Sequence, residues 1–147
     1  MIFYLDLVNP LWNRFIQHKS LEELLNDRNL AKTGDAIVNL CYSLAKSLVL
    51  GKPVGEKVRD DVLANAIRAL PLYKHMNRRT DRGVAADAYE AIIAYLWMDK
   101  KVTIESIVDY LVKHLSIDAD TSRKKEAKIA SEVFRTLLDS LSPLITL

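Results

Sequence analysis

The sequence predicts an all-α fold, and three observations carry that prediction. Apolar residues recur at helical spacing through most of the chain, no stretch alternates with the two-residue period of a strand, and Gly and Pro number only four each. So few turn formers exclude collagen-like, linker-like and turn-rich β architectures. Half of the 147 residues are apolar and 27% are charged, the balance of a folded chain with one substantial core, so residues 1–147 read as a single domain.

A capping box, Ser20-Leu21-Glu22-Glu23, opens a short helix that carries Leu21, Leu24 and Leu25 on one side. Gly34-Asp35 is expected to open a long apolar helix, Ala36 to Leu50, which Gly51 closes with Pro53 just beyond. From Glu56 to Leu70 the positions Val58, Val62, Leu63, Ala66, Ile67 and Leu70 keep helical spacing until Pro71. A polar, basic stretch then runs from Lys74 to Gly83 and leads into a strongly apolar helix, Val84 to Met98, with Asp81 or Thr80 as its cap. Thr103 caps an amphipathic helix bearing Ile104, Ile107, Val108, Leu111 and Leu115, and a last helix runs from about Thr121 to Leu141 with Ile129, Val133, Phe134, Leu137 and Leu138 inward.

Composition also limits function. One cysteine cannot form an internal disulfide, which favours a reducing, cytoplasmic setting. A net charge of +2 is too small to name a partner, so any nucleic-acid argument rests on where the charges sit. The longest uncharged run, Ala36 to Ala45, is far short of the roughly 20 residues a bilayer helix needs. No basic region precedes the first apolar residues, so no secretory signal is expected. Cys41 reads as a packed small hydrophobe, and His18, His75 and His114 lie too far apart for zinc-ligand spacing. Trp12, Tyr95 and Trp97 read as core or dimer surface, and neither a Gly-rich phosphate loop nor a nucleophile elbow is present.

The informative feature is a set of acids in apolar helices. Asp87 and Glu90 are the only charges in Val84 to Met98, three residues apart and therefore neighbours on one face. Asp35 stands at the head of the equally apolar Ala36 to Leu50 segment. Carboxylates inside a core are costly unless a cation or proton compensates them, and converging carboxylate oxygens are what Mg²⁺ uses. Taken alone, Asp35 also reads as an ordinary first-turn acid meeting the helix dipole; Glu90 lies too deep in its helix for that account.

Two segments resemble a known family. Asn29 to Val38, with Leu30-Ala31-Lys32-Thr33-Gly34-Asp35-Ala36-Ile37-Val38 at its centre, is similar to the ribonuclease III signature helix, roughly L-E-x-L-G-D-A-V-L. Ala86 to Asp99 resembles the family's second acidic helix, A-D-x-x-E-A-x-I-G-A-x-x-x-D. The resemblance extends from about Pro10 to Leu138 and is to compact members, the archaeal ribonuclease III-like proteins and mini-ribonuclease III, which lack a double-stranded-RNA-binding domain. It implies a ribonuclease III endonuclease-like helical bundle acting as a homodimer on double-stranded or structured RNA, with processing of ribosomal or other stable RNA as the role. It further implies Mg²⁺ or Mn²⁺ held by Asp35, Asp87 and Glu90, with a metal-activated water attacking a phosphodiester.

One departure stands out: the signature's glutamate, four residues before its aspartate, is here Ala31. A methyl group cannot coordinate a cation, so a catalytically silent RNA-binding protein of the same fold is the alternative, with an unrelated helical interaction domain behind it. Lys32 is placed either to contact RNA phosphate or to pair with Asp35 where a second metal would sit. In the basic stretch, Arg78, Arg79 and Arg82, with Lys74 and His75, suit phosphate through the two-pronged guanidinium. Arg123, Lys124, Lys125 and Lys128 read as a solvated helix face.

Overall fold

A computed structural model describes residues 11–76 and 81–147, and every regular element among them is helical. Six α-helices have complete bounds: α1 (Leu21–Leu25), α2 (Arg28–Leu50), α3 (Asp60–Arg68), α4 (Arg82–Met98), α5 (Ile104–His114) and α6 (Arg123–Leu141). Short 3-10 turns, Arg14–Ile16, Pro71–His75 and Ser142–Leu144, punctuate them. Among the described residues no helix is long and apolar enough to cross a membrane.

The centre of the molecule is α4. Asp81 caps it, its side chain accepting from the Val84 N–H at 2.9 Å. From Ala88 to Leu96 every residue is buried, so the helix is enclosed on all sides. Helices α1, α2 and α3 pack on it, α5 covers α2, and α6 covers α3. Tyr89 of α4 reaches past this layer to donate to the Phe134 carbonyl of α6 at 2.6 Å, so the one polar atom of a fully buried ring is satisfied. The other expected helices form close to their expected bounds. The capping box that opens α5 is completed by Thr103 and Ser106. Within α5 and α6, Ile104 and Ile129 are only partly buried, at the margins of their apolar faces.

Two boundaries differ from expectation, each for a physical reason. Helix α2 begins at Arg28, capped by Asp27, so Asp35 lies two turns inside it and is not a first-turn acid. Gly34 is therefore not a helix opener. It is the point where α2 touches α4: a β-carbon there would fall 1.8 Å from the Glu90 carbonyl oxygen. The expected helix from Glu56 is shortened to start at Asp60, because residues 54–58 bond sideways to α2. Ser47 Oγ accepts from the Val54 N–H at 2.8 Å and donates to its carbonyl, Ser43 Oγ does the same for Glu56, and Asn39 Oδ1 accepts from the Val58 N–H at 2.8 Å. Polar side chains four residues apart on α2 thus take alternate residues of a strap that cannot also be helical.

The strap is anchored further by charge. Lys46, nearly enclosed, pairs with Glu56 of the strap and with Glu126 of α6, whose carboxylate also accepts from Tyr42 Oη at 2.5 Å. At Gly34 a substitution to Ala sets a methyl against backbone that cannot yield, and should cost ~3 kcal/mol or more in urea unfolding. Gly55→Ala, where a β-carbon meets open space, should stay within about 0.5 kcal/mol of the parent.

Candidate active site

The acidic residues are brought together by the crossing of α2 and α4. Glu90 is 4% exposed and is the one buried charged residue among the described residues. Its backbone carbonyl lies against Gly34, and its side chain hydrogen-bonds Asp35, the next residue of α2. Burial, followed by the bond to Asp35 and the nearby charges of Asp35 and Asp87, pushes the Glu90 carboxyl up to about 9. Asp35 moves the other way. The hydrogen bond from Glu90, opposed in part by burial and joined by Lys57 and Asn39, holds it below the usual aspartate range. At neutral pH one proton is therefore shared by the pair and sits on Glu90.

Asp87 lies one turn before Glu90 and takes a different partner. Its Oδ2 accepts from Arg28 Nε at 3.3 Å, with both side chains partly open to solvent. Among the described residues no three His, Cys, Asp or Glu side chains converge on a single cation position. The structure thus joins Asp35 to Glu90 directly and leaves Asp87 beside them, held by α2 through Arg28.

The cation on Asp35 is Lys57, not Lys32. Lys57 Nζ donates to Asp35 Oδ1 at 2.9 Å, and Asn39 Nδ2 donates to the same oxygen at 3.2 Å. Lys32 points outward and is exposed. Asn39 was visible in the sequence as the residue one turn after Asp35. Lys57 was not, because it reaches the site only through the fold of the strap. Arg28 gives no local signal either, because it reaches Asp87 only from the first turn of a helix that starts ahead of Gly34.

Ala31 is 2% exposed and packed in the core. The position where the signature has a glutamate is here a core side chain that offers no ligand. Of the arginines expected near its mouth, Arg78 and Arg79 lie outside the described residues, and Arg82 is exposed at the first turn of α4. Arg82 shares a shallow surface depression with Lys57, Arg59, Asp60 and Asp81. Lys57 and Arg59 also line a cavity of about 70 Å³, together with Tyr42, Glu56, Arg123 and Glu126. Cys41 is wholly buried and burial lifts its thiol to about 12, as suits packing and not nucleophilic chemistry.

The helical core thus sets carboxylates of two crossing helices against each other, with Lys57 and Arg82 exposed nearby. The sequence profile described as Ribonuclease III matches residues 28–147, a span that includes both acidic helices. The chain belongs to the ribonuclease III family. That is a family of RNA-processing endoribonucleases, and RNA is the substrate that membership implies. No curated protein sequence matches the chain.

The raised Glu90 carboxyl has a consequence for stability. Between the ordinary 4.5 and the folded value of about 9 the native protein holds a proton that the unfolded chain has released, so stability falls as pH rises through that window. Thermal unfolding followed by circular dichroism should show Tm declining from about pH 5 to about pH 9. In Glu90→Gln, which needs no proton, this decline should be largely lost. At about pH 8 that variant should melt above the parent, by roughly 3 °C for each kcal/mol recovered.

Proposed function

We propose that the chain is a divalent-metal-dependent endoribonuclease that cuts double-stranded or structured RNA as a homodimer, with Asp35, Glu90 and Asp87 as its acidic centre. The observation that carries this reading is the meeting of two carboxyl groups across the Gly34 contact, Asp35 of α2 against the buried Glu90 of α4. A carboxyl buried beside an ionised one is a place where a cation can take over from a proton. The donors fit a hard cation, because Mg²⁺ is commonly held by one or two carboxylates with its other positions left to water and substrate phosphate.

Mg²⁺ or Mn²⁺ bound there would supply charge against the phosphate and a water activated for attack. The chain's own residues do the rest. Glu90 would release its proton to solvent in holding a cation there. Asp35 keeps its orientation because Asn39 and Lys57 both hold Oδ1. Asp87 stays on the same face, its charge met by Arg28. Arg82 and Lys32, both exposed, offer charge to the RNA backbone, which suits an A-form duplex read by shape and phosphate position. Processing of ribosomal or other stable RNA is the role assigned by family analogy.

The homodimer is supported by the outer face of α2. Leu40, Leu44 and Leu48, spaced one turn apart, are 49%, 43% and 65% exposed, an apolar stripe that a second copy of the chain would cover. Light scattering should give a dimer for the parent chain and a monomer for the Leu44→Glu, Leu48→Glu double variant.

Incubation of a long RNA duplex with Mg²⁺ and then Mn²⁺ tests the activity. The parent should cut, and Glu90→Ala or Asp35→Asn should cut at least roughly 10³-fold more slowly, as loss of a cation site worth several kcal/mol requires. Duplex binding without cutting, indifferent to Glu90→Ala, would instead identify a silent RNA-binding protein, the reading that the buried Ala31 favours. Because the cation must displace the Glu90 proton, the concentration of Mg²⁺ for half-maximal cutting should fall as pH rises from about 7 to about 9.

A further inference from the structure

Lys57 owes its place to the strap. The hydrogen bonds from Asn39, Ser43 and Ser47 fix residues 54, 56 and 58, and they leave the intervening Lys57 directed at Asp35. The same Asn39 that holds Val58 also bonds Asp35, so the lysine's backbone and its partner carboxylate are tied to one side chain. Glu56, the residue before it, is clamped by Lys46 against Glu126. A surface lysine pairing by chance has none of this support.

The charges around the centre then fall into a definite balance. Asp35, Asp87 and Glu90 supply three carboxylates, and two side-chain cations, Lys57 and Arg28, already sit on two of them. A fourth carboxylate has no place, because position 31 is a buried methyl. One divalent cation leaves the fully ionised set with a single positive charge, suited to one phosphate. Two would leave three positive charges in a partly enclosed site. Oδ1 of Asp35 is taken by two donors, so that carboxylate has only its other oxygen to give.

From this arrangement, and resting on the metal-dependent reading above, we propose that Lys57 is a built-in cation that takes the place of a second metal ion, so that the centre binds one divalent cation per chain. In this role it is a positioning residue: it fixes Asp35 and places an ammonium beside the phosphate that the bound cation would receive.

The test is Mn²⁺ binding to the full chain without RNA, followed by calorimetry and by the electron paramagnetic resonance of free Mn²⁺. The parent should bind one Mn²⁺ per chain, and Glu90→Ala should bind none. Lys57→Gln, at an exposed position that leaves the fold intact by circular dichroism, should still bind one but about 10-fold more tightly, because the competing charge is gone. Lys57→Arg should keep the parent's affinity. Lys57→Glu, which supplies the missing acid, should bind two. In Ca²⁺, without cutting, Lys57→Gln should bind an RNA duplex several-fold more weakly than the parent.

Two Mn²⁺ on the parent, or an affinity unmoved or weakened by Lys57→Gln, would overturn the role of Lys57 while a Glu90-dependent ion upheld the metal centre. No Mn²⁺ bound, or binding indifferent to Glu90→Ala, would overturn the metal-dependent reading and this inference with it.

Discussion

The arrangement depends on one backbone contact. Gly34 lets α2 lie directly against the Glu90 carbonyl of α4, with no side chain between them. Alanines at 85, 86, 88, 91 and 94 keep α4 slender along its length, so it can be surrounded closely by other helices. Once the two backbones touch, the positions of the acids follow. Asp35 is the residue after the contact and Glu90 is the contact itself, so the main chain holds the two residues side by side. Glu90 is thereby kept buried although its charge is costly there.

Much of this was legible in the amino-acid sequence, and the rest was hidden for definite reasons. Periodicity found the helices because their apolar residues face one core, and the acids stood out because they interrupted it. The start of α2 is masked in the sequence by Gly34, because glycine ordinarily punctuates helices. Yet Leu30, Ala31, Gly34, Ile37, Val38 and Cys41 already keep the buried spacing. The strap resembles helix in the sequence because Val58 and Val62 fit a helical period, whereas its actual partners are the polar Asn39, Ser43 and Ser47. The role of Lys57 could not be read from local pattern, since its carboxylate partner lies 22 residues away.

Helix α2 serves three neighbours at once. One side enters the core and bears Gly34, a second carries the polar residues that hold the strap, and a third presents Leu40, Leu44 and Leu48 outward. The same helix thus links the acidic centre to the stripe that we assign to a second copy. Lys46 closes the system from below: its pairing with Glu56 and Glu126 ties the strap to α6, which is itself bonded to α4 through Tyr89 and Phe134.

This division of labour bears on how such a helix can change over generations. Its side chains can be exchanged on each face separately, as the alanine at position 31 illustrates. Its length between Gly34 and Ser47 cannot. Inserting or deleting a single residue turns everything beyond it by about 100°. A deletion would swing the leucines toward the strap and an insertion would turn them into the core; either way the serines would leave the strap and the core side would lose its fit, all in one event. Descendants of this chain are therefore expected to vary in composition along α2 while keeping its residue count, with insertions and deletions confined to the connections between helices.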